Sequence, residues 1–130
     1  MKKSDRTAKA ILVVEDEPSI GDVCRRVLTA KGFKVDVAVN GREAQGLIGR
    51  KAYDLYLIDI KLPTMNGKEL YEWLRKKFPQ SIKRVIFTTG DVLGNDIYSF
   101  LESTGRPFLP KPFFPDDLKA IVRETLHRAG

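Results

Sequence analysis

A chain of 130 residues, 42% of them hydrophobic and 31% charged, has the length and composition of one globular domain, which excludes a disordered or disulfide-dependent protein. Its single cysteine, Cys24, cannot form an internal disulfide, and no apolar run is long enough for a signal peptide or a membrane span, so we expect a cytoplasmic protein. The net charge of +6 comes from scattered basic residues without a stripe of interleaved aromatics, which argues against direct contact with nucleic acid or a membrane.

Five short segments predict β-strands, in chain order residues 10–14, 34–39, 55–58, 85–87 and 108–109. Four of them are apolar runs rich in β-branched or aromatic residues, which is typical of buried strands in a parallel sheet. The second segment alternates polar and apolar residues, so one of its faces is expected to be more exposed. This pattern suits a strand at the edge of the sheet.

Helical spacing of apolar residues predicts one helix after each strand. The first helix has Pro18 just inside its start and Gly32 just past its end, and its apolar stripe consists of Ile20, Val23, Cys24, Val27 and Leu28. The other four helices are predicted from stripes at Ala44, Leu47 and Ile48; at Leu70, Tyr71, Leu74 and Phe78, closed by Pro79; at Ile97, Phe100 and Leu101; and at Leu118, Ile121, Val122 and Leu126.

The repeated order of strand and helix predicts an α/β fold. Right-handed crossovers would place helices on both faces of a five-stranded parallel sheet. We expect the doubly wound, flavodoxin-like (βα)5 arrangement with strand order 2-1-3-4-5, which places the alternating second strand at an edge. Residues 1–8 are predicted to be a flexible tail, and residues 9–130 a single domain.

Polar residues gather where four of these strands end. In this fold, ligands bind at the carboxyl ends of the strands. The residues that reach this edge are Glu15 and Asp16 after strand 1, Asp59 after strand 3, Thr88 and Thr89 at the end of strand 4, and Lys111 after strand 5. Three neighbouring carboxylates repel one another unless a cation lies among them, and a small set of oxygen ligands favours Mg²⁺.

A lysine and a threonine hydroxyl beside such a metal could bind phosphate oxygens, so the edge resembles a phosphoryl-transfer site. The segment 41–46 has the glycine spacing of a P-loop but continues with Leu47 and Ile48, so nucleotide binding is not expected. Asp59 is then the candidate phosphate acceptor. Taken singly, Glu15 and Asp16 could cap a helix, and Asp59 could begin a turn. Their shared edge favours the functional interpretation.

The chain resembles the receiver domains of response regulators in two-component signalling, from about Ala10 to Leu126. The motifs that carry the resemblance are "VVEDEP", "LIDIKLPTMNG", "VIFTTG" and "FLPKPF". The resemblance implies that Asp59 takes a phosphoryl group from a phosphohistidine on a sensor histidine kinase or a histidine phosphotransfer protein. It also implies that Mg²⁺ is surrounded by Glu15, Asp16, Asp59 and the backbone carbonyl of Lys61.

The resemblance further implies a switch. Thr89 falls on the hydroxyl position of the family and Phe108 on its switch aromatic, and together they alter the surface of the fourth helix, fifth strand and fifth helix. A homodimer could form through that surface. The bond between Lys111 and Pro112 is usually cis in such proteins. A receiver catalyses only its own aspartyl phosphorylation and dephosphorylation, so it is not an enzyme with a separate substrate. This chain departs from many receivers in having Phe rather than Tyr at position 108.

Two other functions compete with a receiver. A haloacid-dehalogenase-like phosphatase also uses an aspartate nucleophile and Mg²⁺, but it needs a second aspartate two residues later, where this chain has Lys61. Flavin binding is disfavoured by the acidic loop after strand 1, since a flavin phosphate needs amides and hydroxyls.

We also expect Lys61 to pair with Asp91 across the mouth of the site and to affect the rate at which water hydrolyses the phosphorylated aspartate. The segment 100–113 is similar to receivers attached to hybrid kinases.

Overall fold

The computed structural model describes residues 8–90 and 94–129, and within these ranges five strands alternate with five α-helices. The elements are β1 Ala10–Val14, α1 Pro18–Ala30, β2 Lys34–Ala38, α2 Gly41–Arg50, β3 Leu55–Asp59, α3 Gly67–Lys77, a 3₁₀-helix Pro79–Arg84, β4 Val85–Thr89, α4 Asn95–Thr104, β5 Phe108–Pro110 and α5 Pro115–Ala129. The sheet is parallel throughout, with strand order β2-β1-β3-β4-β5. The predicted fold class and strand order are therefore confirmed.

Two hydrophobic layers enclose the sheet. Helices α2, α3 and α4 pack on one face around side chains such as Tyr71, Phe87 and Phe100, whose rings contact one another at tilted or edge angles. Helices α1 and α5 cover the other face. Strands β3 and β4 are buried at every residue, whereas β2 is partly exposed along most of its length. This contrast confirms the predicted edge position of β2.

Helix α1 matches its predicted boundaries but not its whole predicted stripe. It begins at Pro18, and Gly32 follows it with a φ of 98°, a conformation that glycine adopts without strain. Cys24 is buried, and burial raises the pKa of its thiol to about 12, so it is a core side chain. Val23 is 39% exposed because the contact with the sheet is centred on Cys24 and Leu28 instead, so its assignment to the buried stripe was wrong.

The predicted tail and the predicted partner of Lys61 lie largely outside the described residues. Residues 1–7 and Asp91 are not among them, so a flexible tail over residues 1–8 and a pair between Lys61 and Asp91 remain predictions. In the described part of the chain, none of the helices combines the length and the apolar character needed to cross a bilayer.

Tyr53→Phe is expected to destabilise the edge of the sheet by about 1 kcal/mol at pH 7, since the buried Tyr53 hydroxyl donates a 2.7 Å hydrogen bond to Asp36 Oδ2 on β2. This hydrogen bond holds the pKa of Asp36 below its usual range. A carboxylate with a depressed pKa stabilises the fold above its unfolded pKa of about 3.9 and loses that contribution as the pH falls below it. Urea unfolding at several pH values should therefore show the deficit shrinking below about pH 4.

The matched control is Tyr98→Phe, because Tyr98 is 56% exposed and should tolerate loss of its hydroxyl within about 0.5 kcal/mol. An equal deficit for Tyr53→Phe at pH 3 and pH 7 would contradict the assigned role of the Asp36 charge.

Candidate functional site

The acidic residues predicted at the sheet edge lie together in the structure. Parallel pairing of β1 with β3 sets Val14 beside Ile58, so Glu15 and Asp59 leave neighbouring strands at the same level. One carboxylate oxygen from each of Glu15, Asp16 and Asp59 lies within 4.8 Å of the others. Glu15 and Asp59 are each 3% exposed, whereas Asp16 is exposed. The group therefore has a buried side and a side open to solvent.

Lys111 lies at the centre of this acidic group. Its Nζ is 2.8 Å from Asp59 Oδ2, 2.9 Å from Glu15 Oε1 and 3.2 Å from Glu17 Oε1. The Lys111 side chain is almost fully buried, and the residue precedes a cis peptide bond to Pro112, as the resemblance implied. Glu17 is a site residue that the sequence reasoning missed. Its position in the acidic run that follows β1 is the sequence feature that could have identified it.

The charged groups at the site shift one another's pKa values. Burial raises the pKa of Glu15 to about 7; the hydrogen bond from Lys111 opposes this rise, and the charge of Asp59 adds to it. Burial by itself lowers the pKa of the Lys111 ammonium, but hydrogen bonds to Asp59 and Glu15 outweigh burial and leave that pKa above its usual range. One ammonium cannot neutralise three carboxylates, so a further cation is favoured here.

The donor set also suits a metal ion. Carboxylate oxygens are the ligands that Mg²⁺ prefers, and a partly open site leaves room for the waters that it retains. Among the described residues, Glu15, Asp16 and Asp59 are the group that could hold such an ion. The arrangement therefore fits the acidic, metal-binding pocket that the sequence predicts at this edge of the sheet.

The loop after β3 holds Asp59 through its backbone. The Lys61 N–H donates to Asp59 Oδ1 at 3.0 Å, and the Gly67 N–H donates to the Ile60 carbonyl at 2.8 Å. Asn66 and Glu69 form a reciprocal capping box at the start of α3, which fixes where the loop ends. A Cβ on Gly67 would lie 2.7 Å from Ile60 Cα and would also meet the Asp59 carbonyl. Only glycine allows this approach of the helix to the strand.

The two threonines at the end of β4 differ in position. Thr89 lines a cavity of about 520 Å³ together with Asp59 and Lys111. Thr88 is not part of that lining; it pairs with Asp59 in the sheet, and its carbonyl accepts the Ile60 N–H at 2.9 Å. Thr89, which the family resemblance indicated in place of Thr88, is therefore the threonine that lines the cavity.

Phe108 begins β5 and is half-buried. Its side chain packs against the hydrophobic layer under α2, α3 and α4, and its neighbour across the strand pair is Phe87. It does not line the cavity around Asp59. Phe108 therefore packs against the hydrophobic layer beneath α4 and also belongs to β5, the strand that immediately precedes Lys111.

Residues 11–123 match the family model of the response regulator receiver domain. Response regulator Rre1 of Synechocystis is 33% identical over 120 residues, which are 92% of this chain and 52% of that protein. The DNA-binding response regulator MtrA of Mycolicibacterium smegmatis is 35% identical over 124 residues, which are 95% of this chain and 53% of that protein. The chain therefore spans about half the length of these curated relatives.

Solved structures give the same answer for the fold. A CheY-like response regulator receiver domain protein from Methanospirillum hungatei superimposes with a TM-score of 0.86 at 31% identity, covering 95% of this chain and 97% of that one. The signal receiver domain of a signal transduction histidine kinase from Syntrophus aciditrophicus has a TM-score of 0.82 at 27% identity, covering 93% and 92%. Since the family model covers most of the chain, the chain belongs to the response regulator receiver domain family of two-component systems.

Proposed function

We propose that Asp59 is the phosphoacceptor of this receiver domain, which we assign to residues 9–130. The observation that carries the proposal is the position of its carboxylate, 3% exposed, in a cavity of about 520 Å³ and 2.8 Å from the Lys111 ammonium. The ammonium can bind a phosphate oxygen there, and the Thr89 residue lines the same cavity. The donor would be a phosphohistidine on a sensor histidine kinase or a histidine phosphotransfer protein.

The transfer is a displacement at phosphorus. A carboxylate oxygen of Asp59 forms a bond to phosphorus while the bond from phosphorus to the histidine nitrogen breaks, and the leaving imidazole takes a proton from solvent. The product is an acyl phosphate whose extra negative charge lies beside Lys111. Electrostatic stabilisation of that charge is the main contribution expected of the chain.

Glu15, Asp16, Asp59 and the backbone carbonyl of Lys61 are the residues proposed to hold Mg²⁺. Three of these donors are supported by the spacing of their carboxylate oxygens. When bound, the ion supplies positive charge that offsets the charge of the phosphoryl oxygens. It also relieves the repulsion among the three carboxylates that Lys111 alone leaves uncompensated.

The output is proposed to be a change in one surface. Thr89 lies at the cavity and Phe108 on the next strand, so movement of the hydroxyl towards the phosphoryl group would free space for the aromatic ring. The affected face consists of α4, β5 and α5, through which a homodimer could form. This domain is proposed to have no direct contact with nucleic acid, although MtrA is named as a DNA-binding regulator.

Incubation with phosphoramidate and Mg²⁺ should add the mass of one phosphoryl group, and Asp59→Asn should abolish this gain because the amide cannot act as the nucleophile. Intact-protein mass spectrometry measures both. Ser103→Ala, which removes a hydroxyl bonded to its own helix, is the control that should retain the gain. A gain that survives in Asp59→Asn would contradict the assignment.

Continuous release of phosphate from p-nitrophenyl phosphate would instead support the alternative function, a haloacid-dehalogenase-like phosphatase.

Glu17→Gln is expected to increase the rate of phosphorylation by acetyl phosphate by about threefold to tenfold at low salt. Glu17 lies 3.2 Å from Lys111 Nζ, and its side chain is 59% exposed, so its charge both competes for the ammonium and repels an anionic donor. The rate of mass gain measures the effect, which salt should weaken. Glu124→Gln, an equal change of charge at an exposed position on α5, should leave the rate unchanged. Slower phosphorylation of Glu17→Gln would contradict this role.

A further inference from the structure

A groove of about 410 Å³ lies between the ends of α1 and α5, near the starts of β1 and β2. It is therefore at the opposite end of the parallel sheet from Asp59. Its floor is apolar and consists of Leu28, Phe33 and Leu126, which belong to the hydrophobic layer beneath α1 and α5. Leu28 is fully buried, so the floor is recessed rather than protruding. The groove thus joins the surface directly to a hydrophobic layer.

The rim of this groove is basic. It is formed by Lys9, Lys31, Lys119, Arg123 and His127, and none of the described residues that line the groove is acidic. Lys119 pairs with Asp116 at 3.3 Å, but that carboxylate is 93% exposed and screened by water. Within residues 8–90 and 94–129, no carboxylate forms an ion pair with Lys9, Lys31 or Arg123, the other three side chains of the rim that are charged at pH 7. Four positive charges around one apolar floor give the groove a net positive charge, which favours an anionic ligand over a cationic one.

We propose that this groove binds a single-chain anionic amphiphile, with a long-chain carboxylate as the representative ligand. The hydrocarbon chain would lie on Phe33 and Leu126, above the buried Leu28, where its removal from water is favourable. The carboxylate would bind Arg123, whose planar guanidinium can donate two parallel hydrogen bonds, with Lys31 as a second cation. The volume lies within the range of small-molecule sites, about 300–1,000 Å³. The site is independent of the function proposed for Asp59.

Other occupants fit less well. A membrane surface would require protruding apolar side chains, but the large exposed hydrophobic residues of the described chain lie elsewhere, at Val23, Val39, Phe78, Tyr98 and Phe114. The N-terminal segment "MKKSDRT" carries three basic residues and one acidic residue, so its charge has the wrong sign for a basic rim. A recessed floor and a basic rim instead match a free amphiphile with one anionic end.

Titration of the ¹⁵N-labelled protein with dodecanoate, below the concentration at which it forms micelles, tests the proposal. We expect saturable shifts in the amide signals of Lys31, Phe33 and Arg123. Octanoate should bind more than about tenfold more weakly, because it buries fewer methylene groups. Dodecyltrimethylammonium has a hydrocarbon chain of nearly the same length with a positive head group, so it should produce no shifts at these residues.

The double variant K31E/R123E should weaken dodecanoate binding by about tenfold or more, because two cations of the rim become anions. Lys76→Glu, on the exposed face of α3, is the matched control for a change of charge and should bind as the wild type does. The proposal is overturned if the double variant binds equally well, if dodecyltrimethylammonium binds at the same residues, or if the shifts lie outside the groove. Shifts with phosphatidylglycerol vesicles but none with monomeric dodecanoate would also overturn it, in favour of a membrane surface.

Discussion

Lys111→Met is expected to lower the free energy of unfolding by about 3 kcal/mol in buffer with EDTA. The ammonium of Lys111 contacts Glu15 and Asp59, both 3% exposed, and methionine retains the hydrophobic stem while removing the charge. Two buried carboxylates would then lie close together without a compensating cation, which is costly in a region of low dielectric. Urea unfolding measures the loss.

Millimolar MgCl₂ should restore much of the lost stability, because an ion that binds the folded state alone stabilises it by mass action. NaCl at equal ionic strength should restore far less. Lys119→Met is the matched control: its ammonium pairs with an exposed carboxylate, so its loss should cost no more than about 0.5 kcal/mol. If Lys111→Met were as stable as the wild type in EDTA, the acidic group would not depend on Lys111 for its charge balance.

Gly67→Ala is expected to destabilise the protein by about 2–3 kcal/mol and to slow phosphorylation of Asp59 by about tenfold or more. The new Cβ would lie 2.7 Å from Ile60 Cα and would meet the Asp59 carbonyl, so backbone must move. Neither neighbour moves easily, because β3 is hydrogen-bonded between β1 and β4 and the start of α3 is held by its capping box. The displacement would reach the phosphoacceptor itself.

Gly49→Ala makes the same chemical change inside α2, where the added Cβ would have no atom within 4 Å apart from its chain neighbours and the backbone of its own helix. It should stabilise the protein by about 0.5–1 kcal/mol, since alanine favours the helix more than glycine does. Unfolding curves and rates of mass gain with phosphoramidate measure both variants. Normal stability in Gly67→Ala would show that the loop after β3 can shift freely, contrary to the role assigned to this glycine.

Much of the fold could be predicted because its signals are local. The apolar runs at 55–58 and 85–87 became fully buried strands, and the alternating run at 34–39 became an edge strand that ends at Ala38. Pro79 correctly indicated the end of α3, but it also opens a 3₁₀-helix over Pro79–Arg84 that the sequence did not predict. A short helix of this kind has no repeating apolar stripe, so periodicity cannot detect it.

Local patterns in the amino-acid sequence were sufficient to predict the class of fold, the strand order and the edge at which Glu15, Asp16, Asp59, Thr89 and Lys111 would meet. It could do so because burial periodicity and helix boundaries depend on near neighbours, and a parallel sheet then brings all carboxyl ends to one edge. The three-dimensional structure was needed to show that Glu17 also contacts Lys111, that Gly67 must lack a side chain, and that cations next to β1, next to α1 and on α5 surround one apolar groove. These features depend on how separate strands, helices and loops pack against one another, which local patterns do not specify.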